Sequence, residues 1–172
     1  SGGGDIDGDG LDDIVIGAYG GRGKVFIFLS KNLGSEHTII SREADYIFVG
    51  EDDGDLAGSS VAIVGDVDGD ELADVLIGAK HAEGLVGSDD GKAYLILAAS
   101  LGPPRTIELG DADYEFIGDS SGTGHEVAGA GDVDGDGLAD FLIHEKRDGH
   151  GTGEVHLLLG GNLTGERSID LN

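Results

Sequence analysis

Three short segments concentrate the residues able to do chemistry. They read GDIDGDGLDDIVIGA from Gly4, GDVDGDELADVLIGA from Gly65 and GDVDGDGLADFLIHE from Gly131, and they align without gaps. In the third, Asp132, Asp134, Asp136 and Asp140 occupy positions 1, 3, 5 and 9, and the carbonyl of Leu138 falls at position 7. Alternating acids in a tight glycine-bearing loop converge on one centre, the arrangement that a hard cation with oxygen ligands requires. Without a cation, four carboxylates within a few ångströms repel one another. The first loop supplies Asp5, Asp7, Asp9 and Asp13 with the Leu11 carbonyl. The second supplies Asp66, Asp68, Asp70 and Asp74 with the Leu72 carbonyl. Ca²⁺ suits such a set better than Mg²⁺, because five protein oxygens leave little room for the waters that Mg²⁺ retains. The expectation is three Ca²⁺ sites, one per loop.

An EF-hand opens in the same way but needs a bidentate glutamate at position 12 and flanking helices. Position 12 here is Ile16, Ile77 and Ile143, inside apolar runs that read as buried strands. The EF-hand reading therefore fails. Loop two carries Glu71 where the others have Gly10 and Gly137. If that position needs positive φ, glutamate costs on the order of 1 kcal/mol there.

The loops belong to a longer repeat. Their first aspartates, Asp5, Asp66 and Asp132, are 61 and 66 residues apart. GKVFIFL from Gly23 matches GKAYLIL from Gly91 and GEVHLLL from Gly153, and Ala-Asp-Tyr-x-Phe-x-Gly recurs from Ala44 and Ala112. The repeat units run approximately over 1–43, 44–110 and 111–172, within one repeat domain. Alternating apolar runs between turn residues predict strands at 60–64, 74–79, 92–98 and 105–109 in the second unit. In the third they fall at 126–130, 140–145, 154–159 and 167–171. The fold class expected is all-β, with β-propeller blades of four antiparallel strands and about eleven strands in all.

Composition agrees. The chain has 172 residues, 34 of them glycine and 2 proline, and its formal charge is −25. So negative a field repels nucleic acid and anionic lipid, and no apolar run reaches the length that spans a bilayer. With no cysteine, disulfides, thiolate metal sites and cysteine nucleophiles are excluded.

Other chemical motifs are weaker. Gly118-Asp-Ser120-Ser-Gly122 fits the nucleophile-elbow string, but that motif needs a following helix and Glu126-Val-Ala reads as strand. His144, His150 and His156 lie close together, yet no other unit repeats them. They and His37, His81 and His125 read as surface or edge residues. Lys146 and Arg147 are the cations nearest this break in the repeat, and Asn162-Leu-Thr164 is a glycosylation sequon.

The acidic loop, preceded by Phe48-Val-Gly and Gly58-Ser-Ser-Val-Ala and followed by Gly78-Ala, resembles the FG-GAP repeat of integrin α-subunits and related bacterial surface proteins. The third unit departs at its exit, reading His144-Glu-Lys where the first two read Gly17-Ala-Tyr and Gly78-Ala-Lys. The resemblance implies a seven-bladed propeller in which calcium braces the turn between the first two strands of a blade. It also implies a non-enzymatic, extracellular or cell-surface module that binds a protein or glycan ligand. An accessory propeller of a secreted polysaccharide-degrading enzyme is the alternative, and a structural spacer a third. Three units do not close a seven-bladed ring, and the opening Ser1-Gly-Gly-Gly reads as a cut edge. Self-association or membership of a larger propeller is therefore expected.

Overall fold

The computed structural model describes residues 2–34, 38–83, 90–118, 122–146, 153–163 and 165–171. Among them the fold is all-β, with short 3-10 turns and no α-helix, and no helix is long and apolar enough to cross a membrane. The strands are β1 (Ile14–Ala18), β2 (Lys24–Phe28), β3 (Tyr46–Val49), β4 (Ser60–Gly65), β5 (Asp74–Ala79), β6 (Lys92–Ile96), β7 (Thr106–Glu108), β8 (Tyr114–Ile117), β9 (Thr123–Gly131), β10 (Asp140–Glu145), β11 (Glu154–Leu158) and β12 (Ser168–Asp170).

They form three sheets, none closed. Sheet one has the order β1-β2-β3-β7, sheet two β12-β8-β6-β5-β4, and sheet three β11-β10-β9. The inner strands of each are antiparallel neighbours along the chain, as the alternating runs predicted. The outer edges differ from expectation. Residues 105–109 were expected to complete the second unit, but β7 lies parallel to β3 in sheet one, with Phe48 opposite Ile107. Likewise β12 lies parallel to β8 in sheet two. Each sets its central isoleucine against a core between sheets, Ile107 against that of sheets one and two and Ile169 against that of sheets two and three. The place beside β6 is taken by β8, whose Phe116 pairs with Ala93. The Ala-Asp-Tyr-x-Phe segments, assigned no strand from sequence, are thus β3 and β8, and twelve strands are present among the described residues.

The sheets stack face on face, and the period-2 alternation of each strand decides which residues meet. Val15, Val25, Ile27 and Phe48 of sheet one pack against Val75, Ile77, Tyr94 and Ile96 of sheet two. The opposite face of sheet two, with Leu76, Ala93, Leu95 and Phe116, packs against Val127, Phe141 and Ile143 of sheet three. Phe116 and Phe141 meet edge to face at 5.5 Å between ring centroids. Sandwiched on both sides, every residue of β5 is buried. Among the described residues, two faces remain open. Ile16 is exposed on the outside of sheet one, and Val155 and Leu157 on the outside of sheet three.

Candidate functional site

Each acidic loop joins the first two strands of its hairpin or leads into them, and all three share one pattern of hydrogen bonds. The position-1 aspartate organises the turn. Asp5 accepts from the amides of Gly8 at 2.7 Å and Asp9 at 3.1 Å through Oδ1, and from Gly10 at 2.7 Å through Oδ2. Asp66 accepts from Gly69, Asp70 and Glu71, and Asp132 from Gly135 and Gly137, in the same way. The position-5 aspartates, Asp9, Asp70 and Asp136, each accept from the amide two residues on, that of Leu11, Leu72 or Leu138.

The position-9 aspartates have a different task. Asp13, Asp74 and Asp140 are fully buried. Asp13 accepts from the amides of Ile6 and Ser30, each at 2.8 Å. Asp74 accepts from Val67 and Ala98, and Asp140 from Val133 and Gly160. One carboxylate so ties the second residue of its loop to the turn that follows β2, β6 or β11. Burial pushes the Asp74 carboxyl up to about 7, with the charges of Asp68 and Asp70 adding to the rise and the two amides opposing it. Burial also raises Asp13 and Asp68, whereas at Asp5 the amides of Gly10, Gly8 and Asp9 outweigh burial and hold the carboxyl below its usual value.

Carboxylate oxygens converge in every loop. Ligand atoms of Asp5, Asp7 and Asp13, of Asp66, Asp68 and Asp70, and of Asp132, Asp134 and Asp136 lie within 4.8 Å of one another in each group. The groups differ in membership. Loop one draws on positions 1, 3 and 9, loops two and three on positions 1, 3 and 5. Asp9, Asp74 and Asp140 stand outside these triads. The donor set is all oxygen, and the Asp70 Oδ2 is buried without a hydrogen-bond partner. Both features fit a hard cation. In loop one Lys31 pairs with Asp7, and the ion pair raises the lysine above its usual range.

Glu71 has φ 71°, against 84° for Gly10 and 95° for Gly137. The positive-φ requirement anticipated for this position is met, by glutamate in loop two.

The remaining sequence candidates separate. His144 lies edge to face with His125 at 5.6 Å, while His156 approaches Glu145 at 3.5 Å. Because Ile143, not His144, stands opposite His156 in the β10–β11 register, the two histidines project from opposite faces of sheet three. His81 and Lys146 are exposed, and Asn162 lies in the turn after β11. Ser120, His37, His150, Arg147 and Thr164 lie outside the described residues, although β9 shows that strand follows the serine segment. Sequence reasoning missed the role of Glu51, which lies just beyond β3. It accepts from the Tyr94 hydroxyl at 2.6 Å and pairs with Lys92 at 3.0 Å, joining sheet one to sheet two.

Comparison with known proteins agrees with this architecture. Residues 5–77 match the FG-GAP-like repeat. The chain is 31% identical to integrin alpha pat-2 of Caenorhabditis elegans over 162 residues, covering 81% of this chain and 12% of that protein. Against integrin alpha-PS2 of Drosophila melanogaster it is 32% identical over 168 residues, covering 91% of this chain and 11% of the other. Integrin alpha-5 of Xenopus laevis is 28% identical over 161 residues, with coverage of 81% and 14%. The repeat match and the integrin α relatives make this an FG-GAP, integrin α-like domain. It spans about an eighth of the length of these relatives.

Proposed function

We propose that this chain is a calcium-braced, non-enzymatic β-propeller module of an extracellular protein, presenting loops to a protein or glycan ligand. The observation that carries the metal reading is the threefold recurrence of one loop, in which carboxylates converge within 4.8 Å and the amide pattern repeats. Asp5, Asp7, Asp9 and Asp13 with the Leu11 carbonyl form the first ligand set, and the corresponding residues of the other loops form the second and third. The position-1 residue shapes the loop through its amide bonds while offering its remaining lone pairs inward. The position-9 residue anchors the loop to the sheet. A bound Ca²⁺ supplies the positive charge that lets these carboxylates stay ionised at close quarters.

The propeller reading is supported by the stacking of repeated sheets and by the FG-GAP match. The two open faces are apolar, so a larger propeller or a second copy of the chain is proposed to cover them. Recognition of a protein partner is supported by the integrin α relatives.

Isothermal titration in excess Mg²⁺ tests the metal assignment, with three Ca²⁺ bound as the expected result. At one hundred times its dissociation constant, one such site adds about 2.7 kcal/mol of stability. EGTA is therefore expected to lower the melting temperature. No calcium heat together with an EGTA-insensitive melt overturns the assignment.

A further inference from the structure

The two junctions between sheets are built on the same close approach of backbones. At the first, Gly17 of β1 lies against Gly58, just before β4. A Cβ on Gly17 would collide with the Gly58 carbonyl oxygen and stand 2.9 Å from its carbon. At the second, Gly78 of β5 lies against Gly124 of β9, where a Cβ would collide with the carbonyl oxygen and stand 3.0 Å from the carbon. A second contact accompanies each. Gly23, before β2, bridges in parallel to Ala57, and Gly91, before β6, bridges in parallel to Thr123. No side chain fits at these positions either, because the backbone of the following repeat fills the space.

The third sheet breaks both features with one residue. The position of Gly17 and Gly78 is occupied by His144. Its ring turns towards Gly153, the counterpart of Gly23 and Gly91, where a Cβ would collide with the His144 Nε2. The imidazole therefore sits in the slot that receives Ala57 at the first junction and Thr123 at the second. Its T-shaped contact with His125 supports it there.

We propose that His144 ends the stack: the outer face of sheet three accepts no further repeat in the mode used at the first two junctions. Both halves of that mode are blocked, the glycine-on-glycine crossing by the Cβ of residue 144 and the parallel bridge by its ring. The apolar face around Leu142, Val155 and Leu157 is then left to a contact of another geometry. This inference rests on the stacking of repeats and not on calcium.

The test appends residues 111–172 directly after Asn172, which continues the repeat in register because Leu171 and Asn172 correspond to Leu109 and Gly110. The extended chain is made with His144, H144A and H144G in its native third repeat, and each is digested with subtilisin and read by intact mass. Trimming back towards residue 172 reports an undocked repeat. The native third repeat, already seated on Gly78, serves as the internal control. If it too is trimmed, the stacking reading itself fails. The expected result is loss of the appended repeat with His or Ala at 144, and at least about ten-fold slower loss with Gly. Alanine keeps the colliding Cβ, so it discriminates a backbone contact from simple removal of a bulky ring. Melting of the unextended H144G chain establishes that the variant folds. Retention of the appended repeat with His144 or with alanine overturns the proposal, as does equal loss with glycine.

Discussion

The amide of Ala73 donates to the carbonyl of Asp5 across 2.8 Å, joining the second acidic loop to the first. Ala139 repeats the bond to Asp66 at 2.7 Å. The peptide unit whose N–H makes this bond carries the Leu72 or Leu138 carbonyl on its other side. One rigid plane therefore presents a proposed ligand to its own loop and a donor to the position-1 residue of the preceding loop.

Occupancy of neighbouring loops should consequently be coupled. Disabling loop two with Asp66→Asn and Asp68→Asn is expected to weaken calcium binding at both loops one and three. Disabling loop three with the equivalent pair is expected to weaken loop two and spare loop one. Titrations of the two double variants check this, and loop one weakened as much as loop two when loop three is disabled counts against coupling through these bonds.

Glu71→Gly is expected to stabilise the protein. A non-glycine residue at φ 71° is strained by roughly 1–2 kcal/mol, and glycine gives back about 0.4–1 kcal/mol through the freer unfolded chain. The net gain is about 0.5 kcal/mol, seen as a higher midpoint in denaturant. An unchanged or lower midpoint means that the glutamate side chain compensates for its backbone.

Lys31→Ala should tighten calcium binding at loop one alone. The ammonium pairs with Asp7 and competes for the same oxygen, whereas loops two and three have Ala99 and Gly161 at the matching place. The lysine is exposed, so the expected change is modest, about two- to five-fold, and shrinks at high salt. Loss of affinity on removing the lysine contradicts the competition.

Glu51→Gln probes the junction between sheets one and two. Burial alone raises this carboxyl, but the Tyr94 hydroxyl and Lys92 outweigh it and hold the pKa below the usual value. A lowered carboxylate pKa means that the folded state binds the proton less readily than the unfolded chain. The stabilisation is thus complete above the ordinary glutamate range and is lost as the pH falls through the lowered value. The stability difference between wild type and Glu51→Gln is expected to be greatest near neutrality and to vanish in acid. A difference independent of pH assigns Glu51 a purely steric role.

Sequence by itself determined the acidic loops, down to their positive-φ position. That is because the loop is largely local: alternating carboxylates and short-range bonds carry the pattern, and only the position-9 bonds to Ser30, Ala98 and Gly160 reach further along the chain. The inner strands were equally legible, since 74–79 and 140–145 alternate or run apolar between clear turn signals. Sheet membership was decided by tertiary structure. A three-residue strand such as Thr106–Glu108 carries a pleat but no address, and it pairs with β3, where Ile107 packs against the core between sheets one and two. The triads were settled there too, for Asp13 and Asp74 share a sequence position yet only Asp13 joins its triad. At residue 144 the sequence shows that the repeat pattern breaks. Only packing tells what the break means, because the force of a glycine at that place lies in the backbone of another repeat pressed against it.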